Sequence, residues 1–568
     1  MMLRFGTVPF SFRGSYIAFS YPQDSGEGYE KDLTIRSIYG VFDDQDNYPV
    51  CLLDKEGRRL RGEVKATETE LCMTSIQGKE TLRFCFQSAD TVCLKGNTKI
   101  MLTKRRMEHY DRVLCHDTGL WEITGREYSL WLKVQTGTIE NYSPGSEKGA
   151  GNVKSCILMR PDENGQFLCQ MTLAGLSYQQ PELVSYEEAV SRARKEYDRF
   201  ASLFVTRRKD YQQAVEEAAY ILWSSVVRPE GYVKYPAMLM SKNKMNMIWS
   251  WDYAINALAV VDKEPELAYE QFLSMAECQD KYGAYADCYS ARNLIRGFVK
   301  PPVQGFVLKK MFAIRKPSRE IMEKLYQSVS EFTQWWFQYR GGKDGIPEYC
   351  HGNDSGWDNS TVFSLGVPVK SPDLCTWLII QMDFLAELSQ ELGLKQDCRK
   401  WEEKSEKLRN HMLEYFVRDN EFVAYKVPEM CKIPNDSLLM YIPLLLGKRI
   451  PEKLRQNMLG KLLEEGKFFT SYGMASEALD SLYFVEDGYW RGAVWPPTAW
   501  IFTEILVKNG KGKEAVLNAE SFCEMCRKYG FFENYSAKDG HGLRDSGYTW
   551  TASAFLILLR DYLENVAE

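Results

Sequence analysis

The sequence predicts a multidomain protein, an N-terminal antiparallel β-sandwich followed by an all-α (α/α)6 barrel, and three observations lead there. Short apolar runs broken by turn residues fill positions 33 to 175. The period then changes to helical through SYQQPELVS and stays helical almost to the end of the 568 residues, and a change of apolar period from two to 3.6 marks a change of element type. The loops between the later helical segments gather Trp, Asp, Glu and Arg.

The strand region reads LTIRSIYGVF, ELCMTSIQGKETLRFCFQ, YSLWLKVQTGTI and SCILMRPDENGQFLCQMTLA. In the last run Asn164-Gly165 predicts a hairpin, since both residues accept the left-handed backbone that a tight turn needs. Ser185 followed by Glu188 predicts a capping box opening a helix. We therefore expect a sandwich over 1–180, a helical linker over 181–208 and a barrel over 209–568. From Lys209 onward there are roughly twelve apolar-periodic segments, among them DYQQAVEEAAYILWSSVV, PELAYEQFLSMAECQ, EIMEKLYQSVSEFTQWWFQY, CRKWEEKSEKLRNHMLEYF and GKEAVLNAESFCEMCRKYG. Twelve helices joined alternately by tight turns and long polar loops form six inner and six outer helices, with a pocket where the inner loops meet.

Composition narrows the function. Hydrophobic residues are 45% and charged residues 26%, enough for a large core. A net charge of −6 provides no basic field, which argues against nucleic acid or an anionic membrane as partner. The N-terminus lacks the apolar run of a signal peptide, and no stretch of about 18 apolar residues occurs, so a cytoplasmic protein is expected. Fifteen Cys lie mostly in apolar runs and are expected as reduced thiols. Cys523 and Cys526 form a Cys-x-x-Cys with no second pair nearby, and the five His have no zinc-site spacing. No metal or other cofactor is expected. Aromatics reach 13%, serving as core and as flat faces for sugar rings.

Five loops carry the candidate chemistry. IWSWDYAINALA contains Trp249, Trp251 and Asp252; KPPVQGF contains Gln304; DGIPEYCHGNDSGWDNS contains Glu348, Asp354, Trp357, Asp358 and Asn359; YWRGAVWPP contains Trp490, Arg491 and Trp495; GFFENYS contains Glu533. Plainer roles exist for several of them. Asp252, and Asp373 of SPDL, suit the first turn of a helix, where a carboxylate complements the dipole, and Trp490 and Trp495 suit a core. Glu533, flanked by Phe531, Phe532 and Tyr535, is either exposed by a turn or buried for a purpose, and burial would raise its pKa.

Taken together, SGWDNS, SPDL, YWRG-x-VWPP and the F-E-N-Y element ahead of YTWTASAF resemble the signature of glycoside hydrolase family 63 and its bacterial relatives, over residues 210 to 565. The resemblance implies that Asp358 is a general acid and Glu533 a general base. Chemistry agrees: one carboxylic acid protonates the leaving oxygen while a carboxylate activates water on the opposite sugar face, inverting the anomeric centre with the two carboxyls roughly 6.5 to 9.5 Å apart. Asp354, four residues before Asp358, is a competitor for the acid role. Trp249, Trp251, Asp252, Gln304, Glu348, Trp490, Arg491 and Trp495 are expected to shape the subsite for the reacting sugar, with Asp252 and Arg491 gripping hydroxyls, Trp357 stacking on the ring and Asn359 orienting the acid.

The expected activity is inverting, exo-acting hydrolysis of a terminal α-glucosyl or α-mannosyl residue from a small carbohydrate. Three alternatives are open: a barrel phosphorylase, which needs phosphate in place of Glu533; a sugar 2-epimerase, which the scattered His do not favour; and a non-catalytic sugar-binding protein, which has no use for both carboxylates. Linkage, aglycone, sugar identity and oligomeric state are not legible.

Overall fold

In the computed structural model the strands build two antiparallel sheets; Leu71–Ser75 and Lys99–Thr103 bury alternate residues, while Ile17–Ser20 and Asn47–Leu53 are buried throughout. The structure describes residues 1–21, 32–39, 47–104, 112–117, 119–125, 128–141 and 156–564; positions 40 to 42 of the first predicted strand run lie outside these. One sheet has seven strands in the order Phe10–Ser11, Ile17–Ser20, Leu33–Ser37, Asn47–Leu53, Lys99–Thr103, Cys156–Arg160, Thr138–Asn141. The other has eight, in the order Val113–Asp117, Leu120–Ile123, Ser129–Thr136, Phe167–Ala174, Thr91–Gly96, Thr81–Phe86, Leu71–Ser75, Gly62–Ala66.

The Asn164-Gly165 turn is present but does not close a hairpin. Asp162 Oδ1 accepts the N–H groups of Asn164 and Gln166 at 3.0 and 2.8 Å, and Gly165 has φ +74°. The strands on either side then part: Cys156–Arg160 pairs with Lys99–Thr103, and Phe167–Ala174 pairs with Ser129–Thr136 and Thr91–Gly96. Turn chemistry sets the local bend, while nonlocal pairing sets which sheet each strand joins.

The chain divides into two units. The first comprises Met1–Val205 with Ala219–Arg228 and Ser241–Asn246; the second comprises Thr206–Ala218, Pro229–Met240 and Met247–Glu568. The division thus falls later than residue 180, and the segment expected as a linker is part of the first unit. There α1 (Tyr186–Ala201) opens on Ser185, whose Oγ accepts the Glu188 N–H at 3.1 Å, and lays Tyr186 and Ala189 against Cys85 and Cys93 of the larger sheet. The two later segments join by buried polar contacts. Tyr220 Oη accepts the Ser11 N–H at 3.0 Å and faces the Pro9 and Ser11 carbonyls at 3.3 and 3.2 Å. The Lys242 ammonium donates to Ser11 Oγ, Phe12 O and Ser15 O, and burial pushes its pKa well below the ordinary lysine range.

In the second unit the helices are α2 (Gln212–Ser225, its first half here), α3 (Asp252–Val260), α4 (Pro265–Ala276), α5 (Gln304–Ile314), α6 (Arg319–Tyr339), α7 (Pro372–Leu392), α8 (Lys395–Phe416), α9 (Glu452–Leu462), α10 (Pro496–Lys508), α11 (Gly512–Tyr529) and α12 (Thr549–Leu558). A 3-10 segment, Leu438–Arg449, stands where another helix is expected; Pro443 inside it and Gly447 at φ +56° keep it from becoming regular α-helix, because proline lacks the N–H that the helix ladder requires. Around a closed ring, α3 packs on α5, α5 on α7, α7 on the 3-10 segment, that segment on α10, α10 on α12 and α12 on α3. Outside it α4, α6, α8, α9 and α11 each pack on a ring member. Every residue of α3 and α12 is buried, whereas α8 buries a single stripe, the contrast expected between inner and outer helices. This is the (α/α)6 barrel.

Tyr220→Phe leaves the buried Ser11 N–H without its acceptor. It should lower unfolding stability of the first unit by about 1–3 kcal/mol, measured by denaturant titration, with the helical signal of the second unit unchanged.

Candidate active site

In-and-out alternation runs the ring helices in the same direction, so the loops before them gather at one end. The motif loops are those loops: Asp252 opens α3, Gln304 opens α5, Asp373 lies in the first turn of α7, Trp495 caps α10, and Glu533 lies on a strand just before α12. Converging helix N-termini also bring positive dipole ends toward the oxygens collected there.

The HGNDSGWDNST loop is built by its own side chains. His351 caps a short 3-10 turn, Gly352–Ser355, and Gly356 turns the chain with φ +73° where Trp251 leaves no room for a side chain. Asp354 is 1% exposed and accepts the N–H groups of Cys350 and His351 on Oδ2, at 3.0 and 3.1 Å, and that of Val299 on Oδ1, at 3.3 Å. Its oxygens are engaged in holding the loop and not directed at a substrate. Asp358 differs: its side chain is 29% exposed, its Oδ2 accepts from Tyr489 Oη at 3.3 Å, and its Oδ1 is buried without a hydrogen bond, 3.5 Å from the Lys300 ammonium. Asn359 does not orient this carboxylate. Its amide donates to Gly488 O at 3.0 Å and accepts the Trp490 N–H at 2.9 Å, clamping the YWRG loop to the acid loop.

Glu533 lies in the strand Phe532–Tyr535, paired with Gly542–Ser546 across a bulge at which Arg544 takes φ +63°. Bulges re-aim side chains and recur beside active sites. Here Glu533 is 5% exposed, and burial, followed by the charge of Asp545, pushes its carboxyl up to about 8 against the Asp545 N–H and the Arg544 guanidinium. Asp358 adds to the rise. Asp252, also buried, is pushed well above the carboxylate range by burial, and its Oδ2 has no hydrogen-bond partner. At the start of α7, Asp373 accepts from Tyr349 Oη at 2.7 Å and from Ser371, and burial pushes it up to about 6.

The indoles form a packed layer. Trp490 stacks on Trp357 at 4.6 Å and on Trp495 at 3.9 Å, and Trp550 meets Trp251 and Trp495 edge-on. Trp357, Trp490 and Trp495 are at most 2% exposed, so Trp357 does not offer the open face expected of a sugar platform; Trp249, half-buried, has more free surface. Gln304 is fully buried and donates to Ser250 O at 3.0 Å. The Arg491 guanidinium reaches Tyr483 O at 3.4 Å while its Nε is buried without a hydrogen bond. Glu348 stands apart from the two carboxylates, its N–H on Arg340 O and its electrostatic neighbours Cys350 and Tyr415.

Four groups at the site escaped sequence reasoning. Lys300 and Asp287 are buried beside Asp358, and the Tyr489 and Tyr548 hydroxyls are pushed well above the tyrosine range, Tyr489 by burial with Asp358, Glu533 and Asp252 and Tyr548 by burial with Glu533, Asp252 and Asp545. Lys300, Tyr489 and Tyr548 head three of the motif stretches, KPPVQGF, YWRGAVWPP and YTWTASAF, and could have been named from them; Asp287 carried no such signal. A separate cavity of 580 Å³, lined in part by Asp436, Tyr441, Phe468 and Tyr483, holds neither carboxylate.

Comparison with known proteins follows the same lines. A family model described as the mannosylglycerate hydrolase MGH1-like glycoside hydrolase domain matches residues 245–551. Mannosylglycerate hydrolase MGH1 of Selaginella moellendorffii is 21% identical over 397 residues, 55% of this chain and 80% of that protein. Glucosylglycerate hydrolase of Mycolicibacterium hassiacum is 21% identical over 414 residues, 54% of this chain and 91% of that one. The crystal structure of the GH63 mannosylglycerate hydrolase from Thermus thermophilus, in complex with Tris and D-glycerate, superposes with a TM-score of 0.52 at 19% identity, covering 60% of this chain and 98% of that chain. No helix among the described residues is long and apolar enough to cross a membrane.

Two outcomes follow from this geometry. A methyl group at Gly352 would run into the Asp358 carbonyl, so Gly352→Ala should displace the loop and abolish most turnover while far-UV circular dichroism stays unchanged. Glu533 is held protonated up to about pH 8 when folded and ionises near its ordinary value of 4.5 when unfolded, so its contribution to stability is present at low pH and is lost as pH rises between those values. Glu533→Gln should therefore melt above the parent protein at pH 8, with the gap closing toward pH 5.

Proposed function

We propose, because this chain belongs to the mannosylglycerate hydrolase MGH1-like family of glycoside hydrolases, that it is an inverting, exo-acting enzyme that releases a terminal α-glucosyl or α-mannosyl residue from a small glycoside. The observation that carries the reading is the pairing of Asp358 with Glu533, one partly open to solvent and one buried, on loops far apart in the sequence that come close enough for the charge of Asp358 to raise Glu533. Relatives that act on mannosylglycerate and glucosylglycerate support a small anionic aglycone.

Asp358 serves as general acid and Glu533 as general base. The proton of Asp358 passes to the glycosidic oxygen as its bond to the anomeric carbon breaks, and Glu533 removes a proton from the water that attacks the opposite face. Tyr489 Oη, donating to Asp358 Oδ2, stabilises the carboxylate that this transfer leaves. Asp252, whose buried Oδ2 lacks a partner, is a hydrogen-bonding group for sugar hydroxyls. The indole layer behind the site excludes water and holds the loops in register, which strengthens each electrostatic contact.

At rest Glu533 holds the one proton of the pair, the reacting form is the one in which that proton stands on Asp358 and leaves Glu533 ionised, and it is the pair as a whole that titrates. That proton is lost as the pH passes the value of about 8 to which Glu533 is pushed, and at low pH a second proton silences the base. The kcat/KM profile should be a bell with its alkaline limb near pH 8. Proton NMR of the reaction with glucosylglycerate and mannosylglycerate should show the β-anomer first, with turnover lost in Asp358→Asn and in Glu533→Gln. The α-anomer appearing first would overturn the inverting mechanism.

A further inference from the structure

We infer that Lys300 is a positioning residue for the acid, fixing the Asp358 carboxylate in place and setting, through its charge, the pH range over which the acid and base pair works. The inference rests on the reading of Asp358 and Glu533 as the acid and base pair, and adds to it a residue that nothing in the motifs assigned.

Lys300 stands immediately before Pro301-Pro302 and the start of α5, and its side chain is 5% exposed. The ammonium donates to Asn353 Oδ1 at 2.8 Å and to Asn353 O at 3.1 Å, lies 3.4 Å from Asp287 Oδ1 and 3.5 Å from Asp358 Oδ1. Asn353 Nδ2 closes the circuit by donating to Asp287 Oδ1 at 3.2 Å. The ammonium is therefore held from the acid loop itself and from Asp287, which lies just before the short strand Cys288–Tyr289, and it faces the Asp358 oxygen that has no hydrogen bond.

A purely structural role explains this poorly. The loop backbone already has its own anchor in Asp354, which accepts three N–H groups. A cation as fully desolvated as this one is costly unless paired, and its charge is retained because Asp358, Asp287 and Asp252 outweigh the burial, with Cys288 also against it. Asp358 in turn faces Lys300, the Tyr489 hydroxyl, Asp287 and Glu533. Among these groups Lys300 alone is cationic. Without it the Asp358 carboxylate would face the charges of Asp287 and Glu533 and the Tyr489 hydroxyl with no cation among these groups to hold it, and the pair as a whole would keep its protons to higher pH.

The test uses the full chain with glucosylglycerate and mannosylglycerate as probes, and reads kcat/KM against pH for the parent, Lys300→Met, Lys300→Gln, Asp287→Asn and Asp358→Asn, with melting curves for each. Removing the cation should move the acidic limb of the bell, where the second proton arrives, to higher pH by about one unit or more. Removing the anion of Asp287 should move the same limb lower. Structural damage cannot produce opposite displacements of one limb. Should Lys300→Met fail to fold, Lys300→Gln retains a donor for Asn353, and Asp287→Asn tests the charge from the other side. An unmoved limb in folded Lys300 variants, with Asp358→Asn inactive, overturns the inference and leaves the acid and base reading intact; turnover retained by Asp358→Asn overturns that reading itself.

Discussion

Crowding carboxylates into a dry end of a barrel is the constraint to which the rest of the site answers. Asp252, Asp287 and Glu533 are each at most 5% exposed, and Asp358 lies among them. Like charges at such range in a poorly screened medium repel by several kcal/mol, about 4 kcal/mol at ~4 Å even with an effective dielectric constant near ~20. The molecule relieves this in three ways. Burial favours the neutral forms of Asp252 and Glu533, Lys300 contributes an opposing charge, and six inward elements start at this end with their positive dipole ends toward it. The result is a set of carboxyl groups whose protons are unequally held, which acid and base chemistry needs from two residues of the same type.

The aromatic layer has a mechanical part in this. Trp490, with both faces covered by Trp357 and Trp495, ties the acid loop, the YWRG loop and the start of α10 into one packed body. Offset stacks add about 0.5–1.5 kcal/mol each beyond the area they bury. More important, close packing leaves few alternative positions for the loops. Glycines at 352 and 356, where a side chain would strike the Asp358 carbonyl or Trp251, show how near the layers approach. The indoles are thus better described as the wall of the site than as a surface for sugar.

Much of this was legible in the sequence. The β-rich first part, the capping of α1 by Ser185 and the ring of helices followed from apolar period and turn residues, because these are local signals. The Asn164-Gly165 bend was legible as a bend, while its failure to close a hairpin was not, since strand pairing is decided by partners distant in the chain. The interleaved division of the chain depends on single buried contacts such as those of Tyr220 and Lys242, which leave no pattern. At the site, motif order gave the loops but not the role of each member. Asp354 and Asp358 have the same side chain in the same loop, and only the three N–H donors that Asp354 accepts distinguish the anchor from the candidate acid.

The HGNDSGWDNST loop is crowded, then, because it must be held from both sides. On one side of Asp358, Asn353 reaches Lys300 and Asp287; on the other, Asn359 reaches the Gly488 carbonyl and the Trp490 N–H. Beyond these, Ser360 meets Ser437 at the head of the 3-10 segment, and Thr361 donates to the buried Glu477 at 2.7 Å. Asn353, Asn359, Ser360 and Thr361 each join the loop to a different neighbour around the ring, while Ser355 bonds within the loop. A solvated turn needs its Asn, Asp and Ser only for its own backbone, whereas here Asp354 and Ser355 serve the backbone and both Asn and Ser360 reach other loops. A carboxylate suspended between such clamps keeps its position, which is the property the proposed proton donor requires.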